Sequence, residues 1–102
     1  MDWIFWGRFS RNKRIDCVIA YAAAARKRGF DVRLTICGSE CDHSAESLKD
    51  LASEHGIREH LTIIEAPPDP LLMECIAGSS VFITASEYEG FGLSVDVYKR
   101  QR

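Results

Sequence analysis

The stretch WIFWGRFSRNKRIDCVIAYAAAARKRG, Trp3–Gly29, changes periodicity part-way along. WIFWG (Trp3–Gly7) is an apolar run closed by Gly, the composition of a strand covered on both faces. RFSRN follows as a polar loop. Beyond it Ile15, Val18, Ile19 and Ala22 recur at helical spacing, Asn12 offers an N-cap, cations crowd the last turn, and Gly29 supplies the stop. Strand, loop and helix in that order form the first half of a parallel βαβ unit.

Working outward, the pattern repeats. DVRLTICG (Asp31–Gly38) reads as a second strand. HSAESLKDLASEHG places Ala45, Leu48, Leu51 and Ala52 on one helical stripe, with Ser44 as cap and Gly56 as stop. HLTIIEA (His60–Ala66) is a third strand. PPDPLLMECIAG gives a short helix with Asp69 as cap and Pro70 in the first turn, and SSVFITAS (Ser79–Ser86) a fourth strand. EYEGFGLSV is the loop after it, with Leu93, Ser94 and Val95 expected to open a helix. This alternation predicts an α/β fold, a Rossmann-like parallel sheet with helices packed on it. In such sheets ligands bind beyond the carboxyl ends of the strands, which selects the loops after Gly7, Gly38, Ala66 and Ser86.

The totals exclude several classes. The chain has 102 residues, 46% hydrophobic and 27% charged, with a formal charge of −2. That is one soluble domain with no general attraction for nucleic acid. No apolar run reaches bilayer length and no signal segment precedes the first strand. Cys17, Cys37, Cys41 and Cys75 lack C-x-x-C spacing, and Cys37, Cys41 and His43 lack an evident fourth ligand, so no metal is expected. Free thiols suit a reducing cytoplasm. His43, His55 and His60 fall at helix boundaries without triad spacing. Trp3, Phe5, Trp6 and Phe82 read as core rather than as a platform, although Trp6 is large for a strand end.

Two loops hold the candidate chemistry. In GRFSRNK, Gly7 lets the chain leave the strand tightly, and Arg8 and Lys13 stand at either end of a short loop leading to a helix. Two cations beside free N–H groups suit a diphosphate. Taken alone, the loop is more simply a set of solvated cations. In SEYEGFGLSV, Gly90 and Gly92 permit close backbone approach and Glu89 precedes them, where a carboxylate suits sugar hydroxyls better than phosphate. Alone, this is equally a Gly-rich turn with solvated acids.

Together, GRFSRNKRID after a first strand and EYEGFGLSV after a fourth resemble the C-terminal domain of group-1 retaining glycosyltransferases of GT-B fold. The similarity runs from about Trp3 to Val95 and includes LTICG and VFITASEYEGFGLS. It implies a glycosyltransferase that takes a sugar from a nucleoside-diphosphate sugar and keeps its anomeric configuration. Arg8 and Lys13 would meet the donor diphosphate and Glu89 the transferred sugar. Gly7, Gly90, Phe91, Gly92, Leu93 and Ser94 would line the donor, the last three through backbone N–H groups. It implies no cofactor and no metal, in keeping with the lack of Asp-x-Asp. The acceptor, a glycan, lipid or small molecule, stays undefined, and peripheral contact of a full-length enzyme with a membrane is compatible with it.

The pattern also departs from the family. A second glutamate is expected eight positions after Glu89, where Val97 stands, and the small-residue helix that should follow is missing. DVYKRQ (Asp96–Gln101) resembles the translation of a transposon-type sequencing adapter. The expected division is therefore residues 1–95, part of a donor-binding domain, and residues 96–102, a non-native tail. Setting that tail aside leaves 10 basic and 14 acidic residues. A stand-alone α/β nucleotide-binding or regulatory module without catalysis is the alternative reading.

Overall fold

The computed structural model describes residues 1–88 and 92–99. Strands β1 (Asp2–Trp6), β2 (Arg33–Gly38), β3 (Leu61–Glu65) and β4 (Val81–Tyr88) alternate with helices α1 (Ile15–Lys27), α2 (Ala45–Glu54) and α3 (Asp69–Gly78). A fifth strand, β5 (Gly92–Lys99), follows β4, and short 3-10 turns occupy Arg11–Lys13 and Arg58–His60. The sheet order is β3-β2-β1-β4-β5. β1 pairs in parallel with β2 and β4, and β2 with β3, so the expected α/β layout holds for four strands.

The fifth strand is a correction. Leu93, Ser94 and Val95 do not open a helix; they lie in β5, antiparallel to β4, with Ser86 opposite Ser94 and Ile83 opposite Val97. The sequence of β5, GLSVDVYK, alternates Leu93, Val95 and Val97 with Ser94 and Asp96. That period of two, with two β-branched residues, suits a strand, and β4 otherwise presents an open edge.

Period two also divides the sheet into faces. Trp3, Phe5, Leu34, Ile36, Val81, Ile83 and Ala85 join one buried cluster with Ile15, Val18, Ile19 and Ala22 of α1 and Leu48 and Ala52 of α2. These are the stripes the helical spacing predicts, with Leu51 only half-buried against them. The other face carries Ile4 and Cys37, both buried, and among the described residues α3 is the helix over it, with no fully buried residue. Trp6 belongs to this second face and is 38% exposed, which corrects its assignment to the core.

Helix ends follow local chemistry in part. Ser44 forms a capping box with Ser47, each side chain accepting the other's backbone N–H. Gly29 and Gly56 stop their helices at φ 97° and 75°, values other side chains adopt only with strain. Two caps differ from expectation. The N-cap of α1 is Arg14, because a 3-10 turn intervenes, and Asn12 accepts instead from Ser10 Oγ at 2.7 Å. Pro68 is the N-cap of α3, with Asp69 already inside the helix.

At the carboxyl edge, β1 and β2 end in contact. A Cβ placed on Gly38 would lie 1.7 Å from the Gly7 carbonyl oxygen and 3.1 Å from the Phe9 ring. A side chain there forces the two loops apart. Gly38→Ala is expected to lower stability by about 1–3 kcal/mol, the usual penalty of overpacking, measured by urea unfolding. An unchanged midpoint would refute the contact.

Candidate functional site

The loop from β1 to α1 carries Arg8 and Lys13, and what gives it shape is a residue whose sequence context conceals it. Phe9 lies between two polar neighbours in what looks like a solvated loop, yet it is fully buried in the core. Burial of a phenyl ring contributes about 1.5–3 kcal/mol, enough to fix a short loop by its middle. Its neighbours then point outward: Arg8 and Lys13 are both exposed. A lone aromatic flanked by Arg and Ser was the available signal.

The loop after β2 holds the first loop from outside. Gly7 N–H donates to the Cys37 carbonyl at 2.9 Å, Phe9 N–H to Ser39 at 3.0 Å, and His43 N–H returns to the Phe9 carbonyl at 3.0 Å. Arg11 N–H donates to Asp42 Oδ2 at 2.6 Å, capping the 3-10 turn from another loop. Arg8 Nη2 donates to Cys41 Sγ at 3.4 Å. The loop after β3 joins them through Ala66, whose N–H donates to the Gly38 carbonyl at 2.7 Å.

Backbone strain collects here. Among the described residues, Arg14 and Ala66 are the non-glycine positions with positive φ, both at 43°. Each costs of order 1–3 kcal/mol and persists only where its surroundings hold it. Arg14 is held by a two-point grip on Asp16, Nε to Oδ1 at 3.1 Å and Nη2 to Oδ2 at 3.0 Å. Those hydrogen bonds from Arg14 keep the Asp16 carboxyl below its ordinary 3.8, against partial desolvation.

Between the three loops lies a cleft of about 250 Å3, lined by Trp6, Gly7, Arg8, Ser39, Pro67 and Leu72 among others. This is the position expected for a ligand in an open parallel sheet. The Arg11–Lys13 turn lies against β4. β4 runs on past its last pair with β1, Phe82 with Ile4, toward the β4–β5 connection. The structure thus places Gly7 and Arg8 in the cleft lining and Lys13 on an exposed turn against β4, outside that lining. Glu89, Gly90 and Phe91 lie outside the described residues; Gly92, Leu93 and Ser94 begin β5. Among the described residues no group of His, Cys, Asp and Glu is placed to hold a metal, and Cys37, Cys41 and His43 do not form one.

A family model, "Glycosyl transferases group 1", matches residues 2–95. The chain belongs to this family. Two curated relatives bear the name GDP-mannose:cellobiosyl-diphosphopolyprenol alpha-mannosyltransferase. The protein of Xanthomonas oryzae pv. oryzae (strain PXO99A) is 30% identical over 91 residues, 89% of the chain and 24% of its own length. That of Komagataeibacter xylinus is 29% identical over 89 residues, 87% of the chain and 23% of its length. This group 1 chain therefore spans about a quarter of the relatives it matches. Among solved structures, the apo lipopolysaccharide outer core galactosyltransferase WaaB superposes with a TM-score of 0.67 at 21% identity, over 88% of the chain and 25% of that protein. WaaG, a glycosyltransferase involved in lipopolysaccharide biosynthesis, gives 0.65 at 17% identity, over 84% and 22%. These two show the fold, the Rossmann-like half of a GT-B arrangement. Among the described residues no helix of the group 1 chain is long and apolar enough to cross a membrane.

Two outcomes follow from the charges and thiols of this region. Because the folded pKa of Asp16 is depressed, its contribution is present above the unfolded value of 3.8 and is lost as pH falls through the folded one. Asp16→Asn is expected to destabilise the chain at pH 7 and to converge with wild type in acid; parallel stability curves down to pH 2 would contradict this. Burial pushes the Cys37 thiol up to about 11, with Cys75 adding to the shift, whereas Cys41 is exposed. Iodoacetamide at pH 8 is expected to label Cys41 in the folded chain and Cys37 only after denaturation, as read by peptide mass spectrometry.

Proposed function

We propose that the chain is the donor-binding part of a hexosyltransferase that moves a sugar from a nucleoside-diphosphate sugar to an acceptor, with retention of anomeric configuration. The observation that supports this reading is a carboxyl-edge cleft lined by Gly7 and Arg8 in a group 1 chain, with Lys13 exposed on the turn that ends the same loop. The nucleotide lies over the cleft, with the diphosphate toward Arg8 and Lys13. Glu89 then receives the hydroxyls of the transferred sugar from the β4–β5 connection. Gly90, Phe91, Gly92, Leu93 and Ser94 are assigned to the donor by the family resemblance.

The chemistry suits these residue types. The bond between the anomeric carbon and the diphosphate oxygen breaks with its electron pair moving onto phosphate, while an acceptor hydroxyl oxygen bonds to the anomeric carbon and gives up its proton. Cations already fixed where that charge grows stabilise the transition state more than the ground state. The cross-loop hydrogen bonds and the buried Phe9 ring hold the Arg8 loop before the donor arrives, which limits reorganisation. Arg8 offers a forked grip and Lys13 a point charge. No cofactor is assigned, and the curated relatives' names support a mannosyl donor and a lipid-linked acceptor as the first pair to assay.

Arg8→Ala and Lys13→Ala are each expected to raise the Kd for UDP or GDP roughly tenfold or more, the loss of a charge-assisted contact, in calorimetric titration of the chain. Glycosyl transfer by a full-length protein carrying either change should fall in kcat/KM. Unchanged affinity in both variants would remove the diphosphate assignment.

A further inference from the structure

An indole standing open at the end of a strand has no part in the diphosphate contacts. Trp6 is the last residue of β1, on the face that α3 covers among the described residues, and is 38% exposed. Its ring packs on Phe82, with centroids 4.0 Å apart and planes inclined by 32°. The contact restricts the indole without burying it, so a ligand meeting the rest of the ring orders little that was not already ordered. The fold does not require this exposure, since Ile4, two residues earlier on the same face, is fully buried.

The surroundings of Trp6 favour a flat, partly apolar partner. Trp6, Pro67 and Leu72 give the cleft an apolar wall, and Ser39 and the Gly7 and Gly38 backbone give it a polar rim. At about 250 Å3 the cleft falls below the roughly 300–1,000 Å3 of sites that enclose a drug-sized ligand, so it admits one ring system and not a whole sugar nucleotide. Arg8 shares the same wall, two residues along the chain. Two residues of extended backbone span at most about 7 Å, the scale of the ribose that separates a base from its phosphates.

We propose that Trp6, braced by Phe82, is the stacking platform for the nucleobase of the ligand whose diphosphate meets Arg8. The assignment rests on the diphosphate reading and adds the residue that distinguishes a nucleotide from a bare diphosphate. Stacking tolerates any base because every base presents a π-face, so Trp6 contributes affinity for the nucleoside and leaves the choice of base to the rim.

The test uses the 102-residue chain, its Trp6→Leu and Trp6→Phe variants, and the probes UDP, GDP and inorganic pyrophosphate. Of the two tryptophans, Trp3 is buried and Trp6 open, so quenching of indole fluorescence reports the cleft. UDP and GDP are expected to quench saturably, and pyrophosphate to bind with little quenching. Trp6→Leu should weaken both nucleotides roughly tenfold or more, leave pyrophosphate affinity and the thermal midpoint unchanged, and be largely restored by Trp6→Phe. Nucleotide affinity unchanged in Trp6→Leu would overturn the platform, as would an equal loss of nucleotide and pyrophosphate. Quenching by sugar 1-phosphates but not nucleoside monophosphates would overturn it too, by moving the platform to the sugar. If wild type binds neither pyrophosphate nor nucleotides while remaining folded, the diphosphate reading itself fails and Trp6 loses its ligand with it.

Discussion

Two backbones touch where β1 and β2 end, and that contact organises the carboxyl edge. With no side chain on Gly38, the Gly7 carbonyl sits where a Cβ would be. The loops can then run side by side and exchange hydrogen bonds from Gly7 to His43. A wider separation would break these bonds and leave their N–H groups to water. The three loops around the cleft therefore act as one body, and the position of Arg8 depends on residues some thirty positions away in sequence.

The strain at Arg14 and Ala66 belongs to the same arrangement. Each stands where a carboxyl-edge loop meets regular structure, Arg14 before α1 and Ala66 after β3. Each is held by a partner: the Asp16 carboxylate for one, the Gly38 carbonyl for the other. Local preference alone would select neither conformation. The ion pair is half-buried and fixes the direction in which the chain enters α1.

Much of the layout was legible in the sequence because it follows from periodicity and punctuation. The stripes Ile15–Val18–Ile19–Ala22 and Ala45–Leu48–Ala52, the stops at Gly29 and Gly56, and the Ser44 cap are all local signals, and the structure shows each. What was not legible depends on distant partners. Phe9 is core only because the β1–α1 loop folds under the sheet edge, and Asn12 lost the cap because Asp42 and the 3-10 turn shift the start of α1. Trp6 resembled core because an apolar run does not show how fully each sheet face is covered, and α3 on its face buries no residue completely. β5 was misread as a helix because Gly92 and Leu93–Val95 fit either period over so short a span, and the β4 edge decided between them. Of the site, the loop bearing Arg8 and Lys13 was legible from residue type; its shape was not.

The unequal cover of the two sheet faces separates two kinds of cooperativity. On the α1 and α2 side, opening any element exposes a continuous apolar cluster, so those elements open together or not at all. α3 buries no residue completely, and it supplies Leu72 to the cleft. Its release uncovers little apolar surface, which gives it the lowest opening free energy of the three helices. The cleft thus has one side held by cross-loop hydrogen bonds, where Arg8 stands, and one more compliant side, which can yield to ligands of different width.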